Sequence, residues 1–170
     1  MSDPANRGKV AEAAVKKFLK DTEGAIMEFT FNRCLDAHAA GGKFPAQAGD
    51  FQAFLQGSLH LTVAEKGVTA LWSRSPGGVP CPRNFIIEVK EVKHDFRLPH
   101  GNYSPDKVAR VSKRVLAGTE AIVVVLHTTT KQWRAVPFAF FQTRTGGSWD
   151  LRQFEPVDMP TALREFFGIA

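Results

Sequence analysis

The residues of this chain whose types and spacing could do chemistry lie between Phe85 and Pro99, in FIIEVKEVKHDFRLP. Ile86 and Ile87 run into Glu88-Val89-Lys90, so a strand that starts among apolar residues delivers a carboxylate and an ammonium to one face, two positions apart. At the end of a buried strand this arrangement suits a Glu that holds a divalent cation and a Lys that orients or activates a water beside it. That is the hard-cation, oxygen-ligand chemistry of phosphodiester hydrolysis. The same two residues also suit a solvated ion pair at a strand edge, since both types are common on surfaces. Other parts of the chain have to decide between the two.

Two further carboxylates are open to both kinds of reading. Asp50 follows Gly49 at the head of the apolar run FQAFL, as a turn or cap residue or as the second carboxylate that a divalent metal requires. Glu12 stands near the start of a predicted helix, as a first-turn Glu favoured by the helix dipole or as a group that reaches across to the metal. Cations are plentiful: the formal charge is +5 and the pI about 9.4, which favours a polyanionic partner, nucleic acid or an anionic membrane surface. Lys107, Arg110, Lys113 and Arg114 share one predicted helical face, Lys16 and Lys17 sit on the first helix, and Arg74 and Arg83 lie in a Gly/Pro-rich loop. Cys34 and Cys81 form no C-x-x-C pair and read as small buried residues rather than a zinc site or a disulfide framework.

The elements that must position these groups follow from periodicity. A helix is expected over Arg7–Lys20, with Ala11, Ala14, Val15 and Phe18 on one face. Ala25–Asn32 alternates as a strand, with a helical continuation as the alternative. Gly41 to Pro45 marks a loop, and Gly49–Leu55 is strand-like or a short helix. Ser58–Val63 and Val68–Trp72 pair as a hairpin through Glu65-Lys66-Gly67, and Ser73–Asn84 is a loop. After the Glu-x-Lys strand and a loop over His94–Ser104, a helix opens at Pro105-Asp106 and is capped by Gly118, with Val108, Val111, Val115 and Leu116 as its apolar stripe. Ala121–Leu126 reads as a central strand covered on both faces, Gln132–Phe141 supplies a further strand or two, and Thr161–Phe167 closes as a short helix. The expected fold is α/β: a mixed central β-sheet flanked by helices, one domain over 1–170 with an inserted hairpin and loop at about 57–84. The chain has 170 residues, 44% of them hydrophobic, with fourteen Phe against one Tyr, so it can bury a dry core. No apolar run approaches the ~18 residues of a membrane span, and the first residues lack the apolar core of a signal peptide, so a cytoplasmic location is expected.

Taken together, Glu12 after Arg7-Gly8, Asp50 heading an apolar segment, Glu88-Val89-Lys90 on a core strand, and then a helix and an all-apolar strand resemble the PD-(D/E)xK nuclease superfamily. Within it, the block EVKEVKHDFRLPHGNYSPDKVARVSKRVLAGTEAIVVVL is similar to that of the RecU-type Holliday-junction resolvases, in which an E-x-K-E-T run is followed by a loop with a Leu-Pro pair, a helix and a strand. The likeness spans roughly residues 7–20 and 85–141. It implies a restriction-endonuclease-like core and a metal-dependent DNA endonuclease, in its specific form a resolvase of branched DNA. Another nuclease of the same fold, acting in phage DNA processing, restriction or repair, and a non-catalytic DNA-binding module are the alternatives. On the family pattern Asp50, Glu88 and Val89 would bind Mg²⁺ or Mn²⁺, Lys90 would help position the attacking water, Glu12 would complete the catalytic set, and Glu91 matches the second acidic residue of the run. The basic residues named above would contact branched or duplex DNA, and symmetric cutting of a junction implies a C2 homodimer. The chain departs from the family in the hairpin inserted between Asp50 and Glu88, which leaves Asp36 and Glu65 as alternatives for the second carboxylate. It also has Val92 where Thr is usual, and Asp106 and Val108 where Gln or His is common.

Overall fold

Ala11, Val15, Phe18 and Leu19 recur at helical spacing and are buried along one side of α1 (Lys9–Ala25), which runs past the expected end at Lys20. The computed structural model describes residues 9–34 and 49–169. Asp36, the Gly41–Pro45 loop and Arg7-Gly8 lie outside the described residues. The alternation after α1 becomes a strand, β1 (Phe29–Arg33), which starts two residues beyond Met27 because Met27 is exposed rather than turned into the core. It pairs antiparallel with β2 (Phe51–Leu55), whose Phe51, Ala53 and Leu55 are buried.

Between β2 and the strand that carries Glu88, the chain leaves the main sheet. There β3 (Ser58–Ala64), β4 (Gly67–Ser73) and β5 (Val79–Pro80) form a separate three-stranded sheet in the order β4-β3-β5. The chain returns in β6 (Arg83–Val92), passes through the short β7 (Arg97–Pro99) to α2 (Pro105–Leu116), and continues in β8 (Glu120–His127) and β9 (Trp133–Pro137). The Ser104 hydroxyl accepts from the Lys107 amide at the head of α2, where Pro105 takes the first helical position. β10 (Ser148–Asp150) pairs with β7, and α3 (Met159–Phe167) ends the described chain, capped by Asp158. The main sheet has the order β1-β2-β6-β8-β9, with β6 and β8 parallel and the other pairs antiparallel. This is the mixed α/β fold that the residue pattern predicts.

The pleat of β6 divides the interior into two cores. Phe85, Ile87 and Val89 pack with α1 and α3 through Val15, Leu19, Leu163 and Phe167. Ile86 and Val92 face the other way, into a cluster with Val111 of α2 and the aromatic residues Tyr103, Phe138, Phe141 and Trp149. Glu88 and Lys90 have the parity of Ile86 and Val92, so they open on the α2 side.

Three expectations are corrected by this packing. Leu116 is 88% exposed, because it lies five positions beyond the buried Val111 and so points about 140° around the helix from it. In 132–141 only Trp133–Pro137 is a strand, and Phe138–Gln142 winds into a 3₁₀ turn that buries Phe138 and Phe141. The loops expected over 73–84 and 94–104 contribute β5 and β7, pairs too short to give a periodic signal.

Candidate active site

Gly49 sets the position of Asp50. Its backbone has a φ of +78°, and a Cβ built there would meet Ile86 Cγ2 at 2.5 Å, so glycine alone lets the chain turn this close to β6. The turn is fixed by two backbone hydrogen bonds: the Asp50 amide donates to the Ile87 carbonyl at 3.0 Å, and the Cys34 amide donates to the Asp50 carbonyl at 2.8 Å. The Asp50 side chain then reaches along β6, where Oδ2 accepts from the Val89 amide at 2.7 Å. Val89 therefore takes part through its backbone, while its side chain lies in the α1-side core.

Glu88 is 1% exposed and sits beside Asp50. Lys90 forms an ion pair with Glu88 Oε1 from two positions along the same strand. Lys107, from the first turn of α2, places its Nζ 2.6 Å from the same oxygen and 3.4 Å from Asp50 Oδ1. Two carboxylates thus meet two ammonium groups, and one ammonium touches both carboxylates. Glu88 Oε2 is buried with no hydrogen-bond partner among the described residues. Burial pushes the Glu88 carboxyl above its ordinary value, against the opposing pull of Lys90 and Lys107. Burial depresses Lys107 in turn, but the charges and hydrogen bonds of Glu88 and Asp50 outweigh it and the net shift is upward.

Around this centre, Tyr103 is fully buried, its ring 5.6 Å from the Lys90 ammonium and its hydroxyl without a partner among the described residues. Burial first, then the Glu88 and Asp50 charges, push its phenol well above the ordinary value, so it stays protonated. Burial, with Asp50 next, pushes the Cys34 thiol up to about 11, which keeps it from acting as a thiolate.

The remaining predicted residues are placed as follows. Glu12 lies on α1, where its Oε2 accepts from Arg33 of β1 at 2.8 Å. Glu91, also on the α1 side, accepts from the Ala11 amide at 2.7 Å and so ties the start of α1 to β6. Arg83 is engaged inside the protein. It makes two hydrogen bonds to Glu120 at 2.7 and 2.8 Å and one to the Phe167 carbonyl at 3.1 Å, between the Trp72 and Phe85 rings. Lys107 belongs to the carboxylates rather than to an outward basic face. Arg110 is half-buried, and Lys113 and Arg114 are exposed on α2. Lys16 and Lys17 are exposed on α1, Lys17 in an ion pair with Asp21, and Arg74 is exposed and borders a cleft with Glu28 and Gln56. Glu65 sits at the β3–β4 turn, in the separate small sheet.

No protein-family model matches the chain, and no curated protein matches it in sequence. Among solved structures it is similar to Hjc, a Holliday junction resolvase of the archaeal hyperthermophile Archaeoglobus fulgidus. The identity is 19% and the TM-score 0.45, over 89% of this chain and 99% of that one. The chemistry rests on the residues themselves.

Those residues suit a hard divalent cation. Asp50 and Glu88 already present oxygens to a single positive charge, and Glu88 keeps a buried oxygen without a partner. No group of three metal-binding side chains occurs among the described residues. Two carboxylates are nevertheless a usual protein share for Mg²⁺, which retains several waters.

Helical periodicity groups Lys107 with the basic residues expected to contact phosphates, and no motif singles out Tyr103. The signal for Tyr103 was compositional: it is the one tyrosine in a chain with fourteen Phe.

Proposed function

We propose that this protein is a metal-dependent DNA endonuclease of the PD-(D/E)xK kind, with branched DNA as its substrate and a C2 homodimer as its working form. The observation that carries this reading is that Asp50, from the head of β2, and Glu88, from the middle of β6, offer oxygens to one cation beside Lys90. The preference for junctions rests on the resemblance of the block from Glu88 to Leu126 to the RecU-type resolvases, and the dimer on the two cuts that resolution requires.

The carboxylates of Asp50 and Glu88 would hold Mg²⁺ or Mn²⁺, which when bound stabilises charge on the phosphoryl oxygens and favours deprotonation of the attacking water. The chain's own groups do the rest. The Val89 amide fixes the Asp50 carboxylate, and burial of Glu88 excludes competing solvent from that side. Lys90 orients the water for attack in line with the leaving oxygen: the new P–O bond forms as the old one breaks, and the water's proton passes to solvent.

Glu88→Gln and Lys90→Ala should each lower cleavage by about a hundredfold or more, the scale of losing one preorganised group at a developing charge. Folding, followed by circular dichroism, should be retained. Cleavage is to be measured on junction, flap and linear duplex DNA side by side with Mg²⁺. Full activity in either variant would sink the assignment, and equal cutting of all three substrates would remove the junction preference. A second reading, a DNA-binding module without catalysis, draws on Lys107, whose ammonium already neutralises the carboxylate pair. It predicts binding with no cleavage in the unmodified chain.

A further inference from the structure

We infer that Lys107 is a tethered counter-cation, holding the Asp50–Glu88 pair until a divalent metal displaces its ammonium. The inference rests on the nuclease reading above and adds a step to it. Two carboxylates this close, one of them almost fully buried, repel each other and lose hydration, so in the metal-free protein they need a positive charge. Lys107 supplies it by touching both, at 2.6 Å to Glu88 Oε1 and 3.4 Å to Asp50 Oδ1. An ammonium and a divalent ion cannot share that place, because like charges at contact distance repel.

The architecture allows one of the two lysines to leave. Lys90 is fixed on β6, touches Glu88 and lies over the Tyr103 ring. Lys107 comes from a different element, the first turn of α2, on a four-carbon stem whose side chain is 22% exposed. Its ammonium can swing outward without any movement of the helix. The buried, unpartnered Glu88 Oε2 gives the cation that replaces the ammonium a further oxygen that Lys107 does not occupy. Once released, the ammonium stands at the rim of the site, where a substrate phosphate would be its next partner.

The test uses the full chain without DNA. Lysines are acylated with a soluble N-hydroxysuccinimide ester, with and without saturating Mg²⁺, and the rate at each position is read by mass spectrometry. Lys107 should label several-fold faster with Mg²⁺, while Lys113, exposed in both states, keeps its rate. In parallel, Mn²⁺ is titrated calorimetrically. Lys107→Met should bind about tenfold tighter than the unmodified chain, through loss of a direct competitor. Arg114→Gln, which removes a charge from the same helix away from the carboxylates, should change affinity less than about threefold because solvent screens it. Labelling of Lys107 that does not respond to Mg²⁺, or Lys107→Met binding Mn²⁺ no tighter than the unmodified chain, overturns the inference. If Mn²⁺ binds and DNA is cut in that case, the nuclease reading survives alone. If neither protein binds metal and no DNA is cut, both fall.

Discussion

A methyl group at position 49 would press on Ile86 from 2.5 Å, in a backbone conformation that L-residues rarely adopt, and the residue it would displace is Asp50. Gly49→Ala should therefore cost about 1–3 kcal/mol of stability from strain and overpacking. Its effect on cleavage should be larger, because a shift of about 1 Å in a positioned group can cost about a hundredfold in rate. Gly118→Ala is the control: φ is +92° there, but nothing lies within 4 Å of the added carbon, so stability should fall while cleavage at saturating Mg²⁺ holds. Denaturant unfolding and cleavage rates on the two variants check this, and equal losses of activity would show that Gly49 acts through stability alone. The turn at Gly49-Asp50 was legible in the sequence as a glycine before a polar residue and an apolar run, but whether Asp50, Asp36 or Glu65 stands beside Glu88 was left open there. The place of Lys107 was not legible. Helical periodicity puts Lys107, Arg110 and Arg114 on neighbouring positions, and which of them meets the sheet depends on how α2 is rotated against it.

At the scale of elements, β6 works because its two faces do different things. One face is a continuous apolar row under α1 and α3, and the other carries Glu88 and Lys90 between Ile86 and Val92. This alternation was readable from FIIEVKEV, as was the apolar run Ala121–Leu126 within β8. The short β7 and β10 were not, since three residues cannot establish a period. For α1, the helix pattern shows which residues face the sheet but not which side of the sheet the helix covers. Arg83 shows the same limit. In sequence it is a loop arginine available to DNA; in the fold it clamps the start of β6 to Glu120 of β8 and to the end of α3. Arg83→Met should lower stability by about 1.5–3 kcal/mol, the usual range for hydrogen bonds to a charged group. DNA affinity, measured well below the unfolding midpoint, should stay within about twofold, as expected for a residue that makes no phosphate contact. A selective loss of DNA binding with normal stability would restore the arginine to the DNA surface.

Over the whole molecule, the carboxylate pair opens on the α2 side of the sheet, and α1 with its lysines covers the other. A +5 chain attracts polyanions from every direction, but phosphates that reach Glu88 have to lie on the α2 side. Lys113 and Arg114 are exposed there, whereas Lys16 and Lys17 are exposed on the far side. Phosphate contacts give affinity without sequence preference, and each neutralised phosphate adds about −0.9 to the slope of log K against log salt on B-form DNA. Changing Lys113 and Arg114 together to Ala should flatten that slope by about one to two units and weaken all DNA substrates alike. Changing Lys16 and Lys17 together removes the same formal charge, so any effect of net charge alone appears in both double variants. The contrast isolates sidedness: the α1 pair should leave the slope within about half a unit of the unmodified chain. Equal flattening by the two pairs would mean that DNA wraps around the sheet and reaches α1. No flattening by either would mean that α2 is only solvated, and would move the search to Arg74, exposed beside the cleft at the base of the β3–β4 hairpin.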